Sequence, residues 1–195
     1  MNDYIKLINE KLDKFLPIKY PESIYESMRY SVLAGGKRLR PIMCLEACRI
    51  LGGDIENAIP TACAIEMLHV QSLIHDDLPC MDNDDYRRGK LTNHKVYGEA
   101  TAVLAGDALL SFAPQLIIEK TKNIEPNRIL EIIRQFCLAA GVDGIISGQI
   151  VDIDSEKNWI NSENPSKTLE FIHTYKTAAL FKLALKIRCY YCRCQ

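Results

Sequence analysis

Long hydrophobic runs are missing from this 195-residue chain: no uninterrupted apolar stretch reaches the roughly 18 residues that mark a membrane-spanning helix. Its start, Met1-Asn2-Asp3-Tyr4-Ile5-Lys6, lacks a basic segment followed by an apolar one, and its early acidic residue argues against an imported transit peptide. The expectation is a protein that is not transmembrane and stays where it is made, cytoplasmic or, if plastid-encoded, in the plastid stroma. Charge of one sign is also lacking. A net charge of −1 provides no overall field to select nucleic acid or an anionic membrane, so no nucleic-acid partner is expected and any attraction for phosphate must be local. Glycine and proline are sparse at 10 and 8, excluding collagen-like and low-complexity chains. Internal repeats and strand-like alternation of useful length are absent.

What is present is an ordinary globular composition, 48% hydrophobic and 25% charged, long enough for one sizeable core. Helical periodicity dominates. Ile5, Ile8, Leu12 and Phe15 recur at three- and four-residue steps before Pro17 and Pro21 stop them. Further helices are expected at 24–33, at 41–51 with Pro41 in the first turn, at 61–77, from 98 or 99 to 120, at 127–140 and at 142–152. Asn164-Pro165-Ser166 starts another, carrying Leu169, Ile172, Leu180, Leu183 and Ile187. The polar stretch 154–163 reads as a loop. The fold class expected is all-α, one domain of packed helices.

Eight cysteines are present, and without an export signal they do not read as a disulfide framework. Cys44, Cys48, Cys63, Cys80 and Cys137 fall at apolar helical positions, where a free thiol acts as a small hydrophobe. The pair Cys44 and Cys48, one turn apart, reads as core packing, with partner contact or redox chemistry as the alternative. Cys189-Tyr190-Tyr191-Cys192-Arg193-Cys194 resembles half a metal site without a second half.

The densest chemistry lies between residues 76 and 85, where Asp76, Asp77, Asp82, Asp84 and Asp85 place five carboxylates in ten residues. Such a cluster is either a solvated acidic helix end or a site for a hard cation. Oxygen donors of this kind suit Mg²⁺, which keeps several waters and bridges to phosphate. On a regular helix Asp76 and Asp82 would not share a face, since six steps turn the chain through about 600°. Pro79 cannot continue the ladder, so the helix is expected to end or bulge near Leu78 and let Asp82 swing back toward Asp76. His69 and Ser72 lie upstream on the same face as Asp76. A lone buried histidine is usually a core residue, but one aligned with Asp76 fits the lining of a polar cavity.

Two basic clusters flank this motif. Gly35-Gly36-Lys37-Arg38-Leu39-Arg40-Pro41 sets three cations between a glycine pair and a helix start, which is either a charged surface turn or a phosphate site. Arg87-Arg88-Gly89-Lys90 is a second cluster of this type. Two basic clusters near one acidic site suggest two phosphorylated substrates, one met with metal and one without. Gln149 and Asp152 share a helix face at i, i+3, and Lys176-Thr177 interrupts an apolar helix. Asp107, alone in an apolar helix, is expected to serve as a structural hydrogen-bonding group.

Taken together and in this order, residues 35–41, His69, residues 76–88, 98–110, 148–152 and Lys176-Thr177 resemble the trans-prenyl diphosphate synthases, the farnesyl and geranylgeranyl diphosphate synthase family. The resemblance implies an isoprenoid-synthase-like helical bundle and a prenyltransferase that joins isopentenyl diphosphate head-to-tail to an allylic prenyl diphosphate. It implies that Lys37, Arg40, His69 and Arg88 hold isopentenyl diphosphate. Asp76 and Asp82 would bind Mg²⁺ bridging the allylic diphosphate, Arg87, Lys176 and Thr177 would contact that group, and Gln149 would line the site. Asp76, Asp82, Arg87 and Lys176 are thus the expected catalytic set, stabilising a departing pyrophosphate in a dry pocket. The family also implies a homodimer. Its product length is tied to the region of Gln71, where no aromatic ring floors the pocket here. With the expanded motif from Asp76 to Asp82, this implies geranylgeranyl diphosphate, or farnesyl diphosphate, as product.

Family members are longer and carry a second aspartate-rich motif on a later helix. The expectation is therefore a synthase-like domain over 1–187, incomplete at its C-terminus, with an aberrant tail at 188–195 from a shifted or prematurely ended reading frame, exposed apolar helix faces, and little or no turnover by the chain as written. A non-catalytic subunit that binds a full-length synthase is the competing reading. A terpene cyclase would need no second diphosphate site, so Lys37, Arg40 and His69 speak against it.

Overall fold

The structure is a computed structural model, and it describes residues 1–158 and 164–191. The helices run α1 (Asn2–Phe15), α2 (Glu22–Val32), α3 (Leu39–Ile50) and α4 (Ile55–Asp76). A two-stranded antiparallel ribbon follows, β1 (Tyr86–Arg87) and β2 (Lys90–Leu91), and then a short α5 (Asn93–Tyr97). The chain continues through α6 (Glu99–Lys120), α7 (Pro126–Ala140) and α8 (Ile145–Asn158). After α9 (Pro165–Ile172), a π-helical turn at His173–Thr177 leads into α10 (Ala178–Lys186) and α11 (Arg188–Tyr191).

The 22-residue helix α4 is the axis of the bundle, packing most extensively against α6 and next against α3. Its residues are buried almost continuously from Ala58 to Leu68, because other helices surround it. Expectation placed its start at Thr61, after Pro60. It begins six residues earlier because Asp54 caps it, its carboxylate accepting from Glu56 N–H at 3.0 Å. The proline is absorbed in the second turn, buried with its neighbours.

Helix α6 is long and apolar enough to cross a membrane, with Asp107 as its one central charge. In the fold its Ala102, Ala105, Leu109, Ala113 and Leu116 instead pack into the common core. Exposed apolar side chains include Leu104 and Ile118 on this helix, Val142 before α8, and Ile146 and Ile150 on α8.

Several expectations need correction. Residues 154–158 are helical: α8 runs on past Ile153, which lines the cavity, with Asp154 and Glu156 exposed; residues 159–163 lie outside the described residues. The tail expected to be aberrant from residue 188 is helical as far as Tyr191, after a turn at Ile187 that separates α10 from α11. Leu180, Leu183, Ala184, Ile187 and Tyr191 form one buried stripe at three- and four-residue spacing. Tyr191 shares a hydrogen bond with Thr61 Oγ1, and Tyr190 Oη donates to Glu131 at 3.1 Å. Of the cysteines read as core, Cys44, Cys48 and Cys63 are buried, whereas Cys80 and Cys137 are exposed. Burial pushes the Cys44 thiol up to about 12 and raises Cys63 as well, which suits inert packing rather than thiolate chemistry. Cys189 is exposed, and Cys192 and Cys194 of the suspected half-site lie outside the described residues. Asp107 is not a buried hydrogen-bonding group: its side chain is 61% exposed and 3.9 Å from His75 Nε2.

Candidate active site

Helix α4 ends at Asp76, and a compact turn then folds the acidic segment back on itself. Asp82 N–H donates to Asp76 C=O at 2.8 Å, and Met81 and Asn83 N–H donate to Leu78 C=O at 2.9 and 3.1 Å. Asn83 takes a positive φ of 54°, which asparagine tolerates better than most residues. Asp82 is thereby returned to the end of the helix that carries Asp76, as the proline-broken helix predicted. Burial raises the Asp76 carboxyl to about 6; Lys176 partly offsets this and Asp82 adds to it. Asp77 faces the other way, 3% exposed, and is held by Arg87 Nε at 2.6 Å. Arg87 also reaches Asp84 at 3.2 Å.

A cavity of about 350 Å³ opens beside Asp76. Its polar groups are Gln71, Ser72, His75 and Asp76 from α4, Gln149 from α8 and Lys176 from the π-turn. Its remaining walls are apolar: Met81, Leu110, Ala140, Ile145, Ile146, Ile150 and Ile153. Lys176 Nζ donates to Asp152. Burial alone would lower the lysine, but Asp152, Asp76 and Asp82 outweigh it and hold the ammonium above its usual value. Gln149 Nε2 is buried without a hydrogen-bond partner. Such a donor is costly to leave unpaired and is suited to an acceptor brought in from outside.

A cationic cluster lies farther back along α4. The Arg40 guanidinium stacks over Phe181, 4.5 Å from the ring centroid, with its buried Nε unpartnered. Burial lowers Arg40, Glu66 counteracts, and Arg88 lowers it further. His69 is pushed down to about 3 by burial and then by Arg40 and Arg88, so its imidazole stays neutral at ordinary pH. Arg88 lies across Gly36 and donates to Gly35 C=O. Arg38, between Lys37 and Arg40 in sequence, is consumed structurally: its guanidinium meets Glu66 at 2.6 Å, with side-chain exposures of 0% and 2%. A depression of about 30 Å³ between α2 and the ribbon holds Arg87 and Arg88 and has no room for a prenyl group.

The structure thus brings Asp76, Gln149 and Lys176 to one cavity with Asp82 returned alongside, and gathers Arg40, His69 and Arg88 into a separate cluster. Arg87 stands between the two, engaged with Asp77. Lys37 is exposed in the loop before α3, and Thr177 is exposed and does not line the cavity. Sequence reasoning missed three supporting features. His75 and Gly106 form a close contact across α4 and α6. Asn93 ties the start of α5 to α2, its Nδ2 donating to Ser27 C=O and Ser31 Oγ, each at 2.9 Å, while Ser27 Oγ donates to its Oδ1 at 2.8 Å. Gly148 gives the π-turn its close approach to α8. The glycines inside two helices were the available signal for the first and third; nothing local marked Asn93.

Asp76 and Asp82 are hard oxygen donors at one helix end, one of them made costly by burial, so their chemistry fits a divalent cation that also takes phosphate oxygens. Among the described residues, no group of three or more His, Cys, Asp or Glu is arranged to hold a metal unaided.

An α-helical bundle with an aspartate-rich helix end opening on an apolar cavity defines the class of isoprenoid-synthase folds. The Polyprenyl synthetase family model matches residues 21–195, and the chain belongs to that family. It is 53% identical over 184 residues to a dimethylallyltranstransferase of Fischerella ambigua, covering 92% of this chain and 52% of that protein. It is 53% identical over 175 residues to a chloroplastic geranylgeranyl pyrophosphate synthase of Capsicum annuum, covering 90% of this chain and 47% of that protein. An FPP/GFPP synthase from Zymomonas mobilis superposes with a TM-score of 0.92 at 38% identity, covering 100% of this chain and 70% of that one. The chain spans about half the length of the curated relatives it matches.

Proposed function

We propose that this chain carries the substrate-binding half of a Mg²⁺-dependent prenyltransferase that condenses isopentenyl diphosphate with an allylic prenyl diphosphate, yielding geranylgeranyl or farnesyl diphosphate. The observation that carries the reading is the pairing, along one helix, of an acidic mouth on an apolar cavity with a separate cationic cluster. The first suits a prenyl diphosphate bound through a cation. The second suits a diphosphate bound directly.

In this reading Lys176 and Arg87 approach the allylic diphosphate from two sides, and the unpartnered Gln149 Nε2 supplies a donor inside the cavity. Thr177 would contact the same group only after a change of side-chain position. Mg²⁺ held by Asp76 and Asp82 would neutralise the negative charge that grows on the departing pyrophosphate. Met81, Leu110 and the isoleucines of α8 shelter the hydrocarbon and exclude water from the allylic centre. Arg40, Arg88 and a neutral His69 hold the isopentenyl diphosphate, His69 as a hydrogen-bond donor rather than a charge, with Lys37 closing over it from its exposed loop. A homodimer, and a place in the plastid stroma or cytoplasm, belong to the same proposal; relatives named chloroplastic support the first location.

The test is calorimetric titration with a non-hydrolysable prenyl diphosphate analogue, with and without Mg²⁺. Binding should be strengthened by Mg²⁺, and Asp76→Ala and Asp82→Ala should each abolish that increment. Mg²⁺-assisted binding that survives both substitutions would refute the assignment.

A further inference from the structure

The side of the cavity next to α6 is closed by an imidazole. His75 Nε2 lies 3.1 Å from Val103 C=O, and since a carbonyl only accepts, Nε2 carries the proton. Nδ1 is left to accept from Gln71 Nε2, also at 3.1 Å. The ring fits only because residue 106 is glycine: a Cβ there would lie 2.0 Å from Nε2 and 2.4 Å from Cδ2. Gly106 precedes by one turn Leu110, which itself lines the cavity, as do His75 and Gln71. These residues therefore form one continuous wall, with the ring seated in a notch of the α6 backbone.

We propose that His75 is a specificity-determining residue: seated in the Gly106 notch and tied to Gln71, it sets the width of the cavity beside Leu110 and hence the length of prenyl chain accepted. The inference rests on the reading of this cavity as a prenyl-chain site. A Cβ at residue 106 expels the ring from its notch. The α6 backbone blocks one side, so the ring moves toward the cavity and removes volume from it. Deleting the ring opens the notch and adds volume between α4 and α6.

The experiment uses the chain itself with Mg²⁺ and unreactive C10, C15 and C20 prenyl thiolodiphosphates, measured by calorimetry with helical content checked by circular dichroism. Because the head group is common, the C20-to-C10 affinity ratio isolates the hydrocarbon. His75→Ala should raise that ratio about tenfold, the scale of one methylene group in an apolar pocket, and Gly106→Ala should lower it by about as much. The double variant should behave like His75→Ala, there being no ring to displace. If Gly106→Ala loses its helical spectrum, its recovery in the double variant reports the same clash, and His75→Ala alone still decides the ratio. An unchanged ratio in His75→Ala, or an effect of Gly106→Ala that persists without His75, overturns the inference. Failure of the unsubstituted chain to bind any of the three overturns the cavity reading itself, and this proposal with it.

Discussion

The backbone nitrogen of Lys176 lies 2.1 Å from the place a Cβ on Gly148 would occupy. The π-turn at His173–Thr177 is thus pressed directly onto α8, and that approach aims Lys176 into the cavity beside Asp76. π-Turns inside helices recur at functional sites because they re-aim side chains within an otherwise regular run.

Gly148→Ala should separate the π-turn from α8, since the obstructing atoms are backbone and cannot rotate away. Overpacking of this kind costs about 1–3 kcal/mol. The expected outcome is a lower urea midpoint together with weaker binding of a prenyl diphosphate analogue. A stability loss with unchanged binding would show that Lys176 does not depend on this contact.

His69 supplies a pH dependence of known sign. Its folded value of about 3 lies below its ordinary 6.5, so between these values the unfolded chain holds more protons than the folded one. Stability from this group is complete above about pH 6.5 and is lost as pH falls toward about 3, by at most about 1.4 kcal/mol per pH unit. His69→Asn should flatten the acid limb of the stability curve in that window. Chemical denaturation at successive pH values checks it.

The Arg38–Glu66 pair is buried and further tied to Asn9 Oδ1 at 3.0 Å and Val32 C=O at 2.7 Å. Glu66→Leu leaves a buried guanidinium uncompensated and should cost about 3–5 kcal/mol, whereas Arg38→Met combined with Glu66→Leu should cost markedly less. Equal costs for the single and double changes in a denaturant cycle would contradict the pairing.

Tyr191 tests whether the last described turn belongs to the fold. It is 5% exposed and shares its hydroxyl with Thr61. Tyr191→Ala should cost about 3–5 kcal/mol, as aromatic deletions in cores do. Tyr191→Phe should cost about 1 kcal/mol for the lost hydrogen bond. Thermal unfolding unchanged by Tyr191→Ala would show that the turn only rests on the bundle.

Local chemistry and periodicity determined much of this protein. The helical spacing from Ile5 to Ile187, the capping and stopping residues, and the break at Pro79 specify an α-bundle with Asp82 returned to Asp76. Each depends on contacts within a few residues along the chain. Those contacts also made the acidic and basic clusters legible as phosphate chemistry. Which cations remain free for a ligand was decided only in three dimensions. Arg38 and Arg40 are two residues apart, yet one is neutralised by Glu66 and the other stacks on Phe181 with its Nε unpaired. The fit of His75 to Gly106, the seat of Lys176 on Gly148 and the anchoring of α5 by Asn93 join residues 28 or more positions apart, because packing brings together surfaces that contacts between near neighbours along the chain do not specify.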